Sequence, residues 1–328
     1  MTLPLPPPQV EELRTGLARV EREIEKLLAT PDPLLGAALA EVLARPAKRL
    51  RPLLSILGAM ASAGRAVDAT VFRGAAAVEI LHLASLVHDD VIDESPRRSN
   101  RPTPHTIWGN HRAVLLGDFL FARALLAACR IGRACFLRFV TVAEDLVRGE
   151  FGQTAMAGVV PSVHSYFQWI EAKTARLFAL AASPGREVIP ALVRYGHALG
   201  MAYQLRDDLL DLIAEEEWYG KPVGNDSRRG IYTYPLILAS AQAPALRDLI
   251  ERGRPEEPIR RQRLKEILWQ TGALVRTEED CRTWAARAME ALTTLPPTPA
   301  REALVALAGW GGEIPRRGKD GQGNGRPS

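Results

Sequence analysis

The sequence predicts a large all-α bundle, and three observations carry that prediction. Nearly every stretch between its proline and glycine breaks repeats with helical period. Strand-like alternation closed by hairpin turns is absent. Two alanine-rich stretches, RGAAAVEILHLASLVHDD and YGHALGMAYQLRDDLLD, are apolar around most of their circumference. Helices of that kind belong at the centre of a bundle, not on its surface.

Taken in order, VEELRTGLARVEREIEKLLA sets Val10, Leu13, Leu17, Val20, Ile24, Leu27 and Leu28 on one stripe with charges opposite. Helical runs follow at 35–45, 49–62, 68–92, 112–129, 135–157, 163–182, 187–215, 231–241, 257–272, 277–294 and 298–309. The breaks are short and rich in Pro, Gly and Asn, as in SPRRSNRPTP, PSV and YGKPVGNDSRRG. No repeat of fixed period and no central linker stand out, so residues 1–310 read as one domain. Residues 311–328, rich in Gly, Arg and Pro, read as a disordered tail.

Composition narrows the function. The 42 basic and 38 acidic residues leave a net +4, partly held in GKDGQGNGRPS, which argues against a nucleic-acid surface. Cys129, Cys135 and Cys281 are odd in number and form no CxxC pair, which fits a reducing compartment better than a disulfide framework. The start, MTLPLPPPQV, lacks a basic region and carries prolines where a signal helix would be. No uninterrupted apolar run reaches membrane-spanning length. A cytoplasmic protein without a transmembrane segment is the expectation.

Both central helices end in D-D-x-x-D: Asp89, Asp90 and Asp93, then Asp207, Asp208 and Asp211. On a helix, residues four apart share a face with Cβ atoms roughly 5–6 Å apart. Asp89/Asp93 and Asp207/Asp211 therefore each form a two-carboxylate rung, with Asp90 and Asp208 to one side. Like charges at that spacing cost a helix a few tenths of a kcal/mol. Solvated helix ends would explain one cluster, but nothing in the helices rewards the cost twice. Hard divalent cations do, and Mg²⁺ in particular binds through one or two carboxylates plus substrate phosphates. Nearby groups suit phosphate: Lys48 and Arg51 in KRLRP, His82 two turns before Asp89, then Arg97, Arg98 and Arg101. Lys173, Thr174, Gln204 and Lys221 are further candidates. No nucleophile–base signature such as GxSxG is present.

In this combination the chain resembles the all-trans isoprenyl (polyprenyl) diphosphate synthases, most closely medium- and long-chain members such as heptaprenyl diphosphate synthase. KRLRP, LHLASLVHDDVID, RPT, GDFLFARA, KTARLF, GMAYQLRDDLLD and GKPVGND…YPLI occur in that family's order across roughly residues 35–240. The resemblance implies the isoprenoid synthase fold, a helical bundle around a central cavity and a homodimer. It implies that Asp89, Asp93, Asp207 and Asp211 bind Mg²⁺ bridging an allylic diphosphate, supported by Asp90 and Asp208. Lys48, Arg51 and His82 would hold isopentenyl diphosphate. Arg98 would contact the allylic diphosphate, and Lys173, Thr174, Gln204 and Lys221 would complete the pocket.

Two departures from the family pattern matter. Aligned without gaps, the paired arginines after the first motif fall on Arg98 and Ser99; a one-residue shift restores the pair as Arg97 and Arg98, with Arg101 a substitute. A family lysine reads as Ile231, for which Arg228 or Arg229 is the candidate replacement. Weaker diphosphate affinity is expected, with the chemistry retained. Leu81, Ala84 and Ser85 set the room below Asp89; the last two are small, so a product of C30 or above is expected, delivered to a membrane. Geranylgeranyl diphosphate is the alternative product, and a partner subunit of a heteromeric synthase the alternative role. A terpene cyclase fits less well, because Leu212 stands at a metal-ligand position of its second motif.

Overall fold

The structure is a computed structural model that describes residues 3–46, 49–63, 67–214, 224–244, 246, 249–250 and 257–313. It is a helical bundle. The first four helices are α1 Pro7–Leu28, α2 Pro33–Leu43, α3 Leu50–Ala63 and α4 Ala69–Ile92. Prolines occupy the first turn of α1 and α2, where a missing N–H costs nothing. Asp32 and Asp68 cap α2 and α4 by accepting from the N–H groups of Leu34, Leu35 and Thr70. On α1 the predicted stripe is buried at Leu13, Val20, Ile24, Leu27 and Leu28, while Val10 at the fraying end is exposed.

Next come α5 Pro104–Trp108, α6 Asn110–Cys129, α7 Arg133–Thr154 and α8 Val163–Ile170. A single π-turn, Glu171–Ala175, leads into α9 Arg176–Ala182, and α10 covers Pro190–Ile213. The remainder are α11 Asn225–Arg228, α12 Tyr234–Ser240, α13 Glu257–Gln270, α14 Ala273–Ala291 and α15 Pro299–Gly312. The long helices α4 and α10 lie at the centre: α4 packs on α1, α3, α6 and α9, and α10 on α9, α14 and α15. Their alanine and glycine content allows that closeness, so the acidic ends of both are carried by the most buried part of the molecule.

Four features differ from expectation. A hairpin joins β1 Arg97–Arg98 to β2 Arg101–Pro102, with Ser99 and Asn100 at φ +49° and +61°. Two positive φ values are what a tight two-residue hairpin turn needs, and strands of two residues are too short to show alternation. The predicted helix at 163–182 is interrupted by the π-turn. The tail boundary at 310 falls inside α15, where Gly311 and Gly312 are buried; residues 314–328 lie outside the described residues. Finally, α4 is long and apolar enough to cross a membrane by length and composition, although 67% of its apolar window is buried inside the bundle.

Candidate active site

The three aspartates at the end of α4 serve different ends. Asp90 is buried and turned into the protein: Arg98 donates from Nε to its Oδ1 at 2.6 Å, and Arg45 stands 3.6 Å from Oδ2. Asp89 and Asp93 remain partly exposed. Burial pushes the Asp89 carboxyl up to about 7, with Lys173 pulling it back and Glu150 and Asp93 adding to the rise. Burial also raises Asp93, opposed first by Arg229, whose Nη1 lies 2.5 Å from Asp93 Oδ1.

The second motif repeats the division of labour. Asp208 is buried, accepting from Tyr166 Oη at 2.5 Å and from Gln204 Nε2 at 2.7 Å. Burial raises it to about 8, and the nearby Asp226 carboxylate adds to the shift. Gln204 in turn accepts from the Thr174 hydroxyl at 2.7 Å. Asp211 is buried, its carbonyl accepting from Gly224 N–H, whereas Asp207 is half-exposed. In each motif, then, the second aspartate is a structural anchor, and an outer carboxylate faces outward.

Lys173 and Thr174 sit in the π-turn. The N–H of Arg176 reaches Glu171 O, an i→i+5 bond that inserts one extra residue and re-aims the side chains there. Lys173 pairs with Glu150 and donates to Gln153 Oε1 at 3.3 Å. Burial pulls its ammonium down, but Asp89 and Glu150 outweigh it, so the net shift is upward and the lysine stays charged. The backbone of α7 approaches this turn so closely that a Cβ on Gly149 would stand 3.0 Å from Lys173 N; one on Gly200 of α10 would stand 2.6 Å from Ala175 Cα. Glycines at both places let α7 and α10 clamp the turn.

Beside this acidic face lies a cationic pocket. His82 is held well below its ordinary pKa by burial and by Arg51, Arg98 and Arg49, so it is neutral. Arg51 lies over the Phe178 ring at 5.0 Å, and its Nε is buried without a hydrogen-bond partner among the described residues. An orphaned buried donor costs free energy unless a ligand satisfies it. Arg49 is neutralised by Glu21 at 2.6 Å and Glu79 at 3.0 Å. Arg97 is exposed and closes the hairpin on Asn100 O. Arg101 is the register partner of Arg98 across the two strands, and its guanidinium reaches Glu41 at 3.4 Å. Lys48 and Lys221 lie outside the described residues.

The donors at the two motifs are carboxylate oxygens, the set that hard divalent cations favour. Among the described residues no three His, Cys, Asp or Glu side chains converge into a closed cage.

The polyprenyl synthetase family model matches residues 32–268. The chain belongs to that family. It is 31% identical to the nonaprenyl diphosphate synthase of Mycobacterium tuberculosis over 310 residues, 91% of this chain and 92% of that protein. It is 32% identical to the heptaprenyl diphosphate synthase component 2 of Geobacillus stearothermophilus over 306 residues, 90% of this chain and 95% of the relative. A polyprenyl synthase from Caulobacter crescentus, solved with calcium and isoprenyl diphosphate, superposes with a TM-score of 0.84 at 34% identity. That likeness covers 92% of this chain and 96% of the other. The all-α isoprenoid synthase fold is thereby shared.

For a member of this family, several site residues escaped the sequence reading. Tyr166, in SYFQWI, and Arg45 belong to no motif in the sequence, yet they reach Asp208 and Asp90. Glu150 and Gln153 on α7 were a detectable i,i+3 pair. Asp226 follows Gly224 in GND and lies within electrostatic reach of Lys173, Asp93 and Asp208. Below Asp89, Leu81 and Ala84 are fully buried, and Ser85 donates its hydroxyl to His82 O.

Proposed function

We propose that this chain is a Mg²⁺-dependent prenyltransferase that condenses isopentenyl diphosphate with an allylic diphosphate into an all-trans polyprenyl diphosphate of C30 or above. One observation carries the reading: charged Lys173 sits against the acidic rung of α4 while the Arg51 donor, unpartnered among the described residues, and neutral His82 form a cationic pocket alongside. The medium- and long-chain names of the relatives support the product class.

Asp89, Asp93, Asp207 and Asp211 are the residues to hold Mg²⁺, which when bound neutralises the departing diphosphate. Lys173, released from Glu150, and Thr174, released from Gln204, are placed to donate to that leaving group as its charge develops. Arg51 and His82 orient isopentenyl diphosphate, so that its double bond attacks the allylic carbon as the C–O bond breaks. The proton lost from the adduct passes to the released diphosphate. A homodimer is proposed, supported by the exposed Val114, Leu115 and Leu126 on α6.

The test is to incubate the purified chain with Mg²⁺, isopentenyl diphosphate and farnesyl diphosphate, then size the dephosphorylated products. Chains of C30 or longer are expected, and Asp89→Ala should abolish them. The name of the Geobacillus relative, a component 2, motivates the second reading of a heteromeric synthase subunit. Product that forms only after a partner protein is added would replace the homodimer with that reading.

A further inference from the structure

Away from the acidic ends of α4 and α10, a cavity of about 1020 Å³ lies between α7, α9, α10 and the end of α14. Its lining is apolar at Val142, Leu180, Ala198 and Trp284. Four arginines also line it, Arg138, Arg176, Arg194 and Arg287, against the two carboxylates of Glu171 and Glu290. Of these arginines, only Arg176 has carboxylate partners among the described residues: Glu171 at 3.1 Å and Asp145 at 3.4 Å. Arg138 donates to the carbonyls of Ser183 and Gly185, and Arg287 stacks over the Trp284 ring at 4.5 Å. Arg194 is exposed and has neither hydrogen bond nor ion pair among the described residues. Three guanidiniums with no ion pair among the described residues outnumber the one lining carboxylate, Glu290, that Arg176 does not hold, and beside an apolar lining of this volume they complement an organic anion with an apolar tail.

The cavity also shares an element with the catalytic site. Glu171 lines it and opens the π-turn whose next members include Lys173 and Thr174. Arg176 closes the same turn through its backbone and holds the Glu171 carboxylate through its side chain. An anionic head group on Arg176 competes with Glu171 at both ends of the turn that aims Lys173.

We infer that this cavity is a regulatory site: an amphipathic anion, with a phosphate or carboxylate head on an apolar tail, binds there and slows catalysis through the π-turn. The regulatory half rests on the prenyl transfer proposed above; the binding half does not. Dodecyl phosphate and dodecanoate, each below its micelle concentration, are the probes. They are titrated calorimetrically against the full chain in EDTA, which removes divalent ions from the aspartate motifs. Saturable binding is expected, tighter for whichever head group the cavity prefers, and about tenfold weaker in Arg194→Ala/Arg287→Ala. Equal affinity in the wild type and the double variant overturns the site. In the prenyl-transfer assay, the tighter probe should lower kcat with little change in the KM for isopentenyl diphosphate, and the double variant should resist it. Binding that leaves kcat untouched overturns the regulation. A chain that transfers no prenyl group refutes the proposed function and the regulation with it, while the calorimetry still decides the site.

Discussion

Replacing Tyr166 by Phe removes one hydroxyl and leaves the ring stack on Tyr234 in place. Among the described residues Asp208 then keeps Gln204 alone as a side-chain hydrogen-bond donor, and the deficit falls on a buried carboxyl group. Leaving such a group under-satisfied costs about 1–3 kcal/mol, so Tyr166→Phe should unfold at lower urea and turn over more slowly, with the same product lengths. Arg229 poses a different question, because it is the candidate replacement for the family lysine that reads here as Ile231. Its guanidinium is on Asp93, whereas Ile231 is 5% exposed. Arg229→Ala should raise the KM for the allylic diphosphate about tenfold, roughly 1.4 kcal/mol, with thermal stability nearly unchanged. Ile231→Lys, which restores the family residue, should instead lower the melting temperature, since burying an unpaired ammonium is costly. If Ile231→Lys tightened diphosphate binding without loss of stability, Arg229 would not be the replacement.

At the scale of elements, the π-turn is the device that aims Lys173, the proposed catalytic lysine, and it is testable by deletion. Removing Ala172 takes out the extra residue and permits a regular helix from Val163 to Ala182. Each residue turns an α-helix by about 100°, so Lys173 and Thr174 cannot both keep their aim at Glu150 and Gln204. Turnover should fall at least 100-fold, about 2.7 kcal/mol, while circular dichroism reports the same helix content. Retained activity would mean that the turn is incidental. No composition marks such a turn, because an inserted residue leaves the apolar period readable on either side. The long helices were legible for the same reason: their period repeats over many turns, and Asp32, Asp68 and Ser162 announce starts. The aspartate motifs were legible from spacing alone. Their anchors were not: Tyr166 meets Asp208 across 42 residues of chain, and only the fold makes them neighbours. The hairpin stayed hidden because its strands have two residues each, and with it the pairing that sets Arg101, not Ser99, across from Arg98.

For the molecule as a whole, the proposed ruler for product length is what the bundle leaves open beside α4. The proposed path for the growing tail runs from Asp89 past Ser85 and Ala84 to Leu81, about 6, 7.5 and 12 Å down the helix axis. α6 packs along α4 so tightly that a Cβ on Gly117 would stand 2.1 Å from His88 Nε2, and Phe121 stacks on that imidazole at 5.6 Å. That side of α4 is therefore filled, and small residues at 84 and 85 are the places where bulk can be added. Ala84→Phe should shift the products from C30 or above towards C20 and shorter, resolved by chromatography after dephosphorylation. Ala84 has no exposed surface, so the added ring also threatens overpacking, typically about 1–3 kcal/mol. Ser85→Phe separates the two effects. Ser85 is half-buried, and among the described residues its hydroxyl makes just a local hydrogen bond to His82 O, so the larger side chain is better tolerated there. Shorter products from both variants, with a stability loss confined to Ala84→Phe, place the tail along this face. An unchanged distribution from Ser85→Phe in a fully folded protein would move the path to another wall of the bundle.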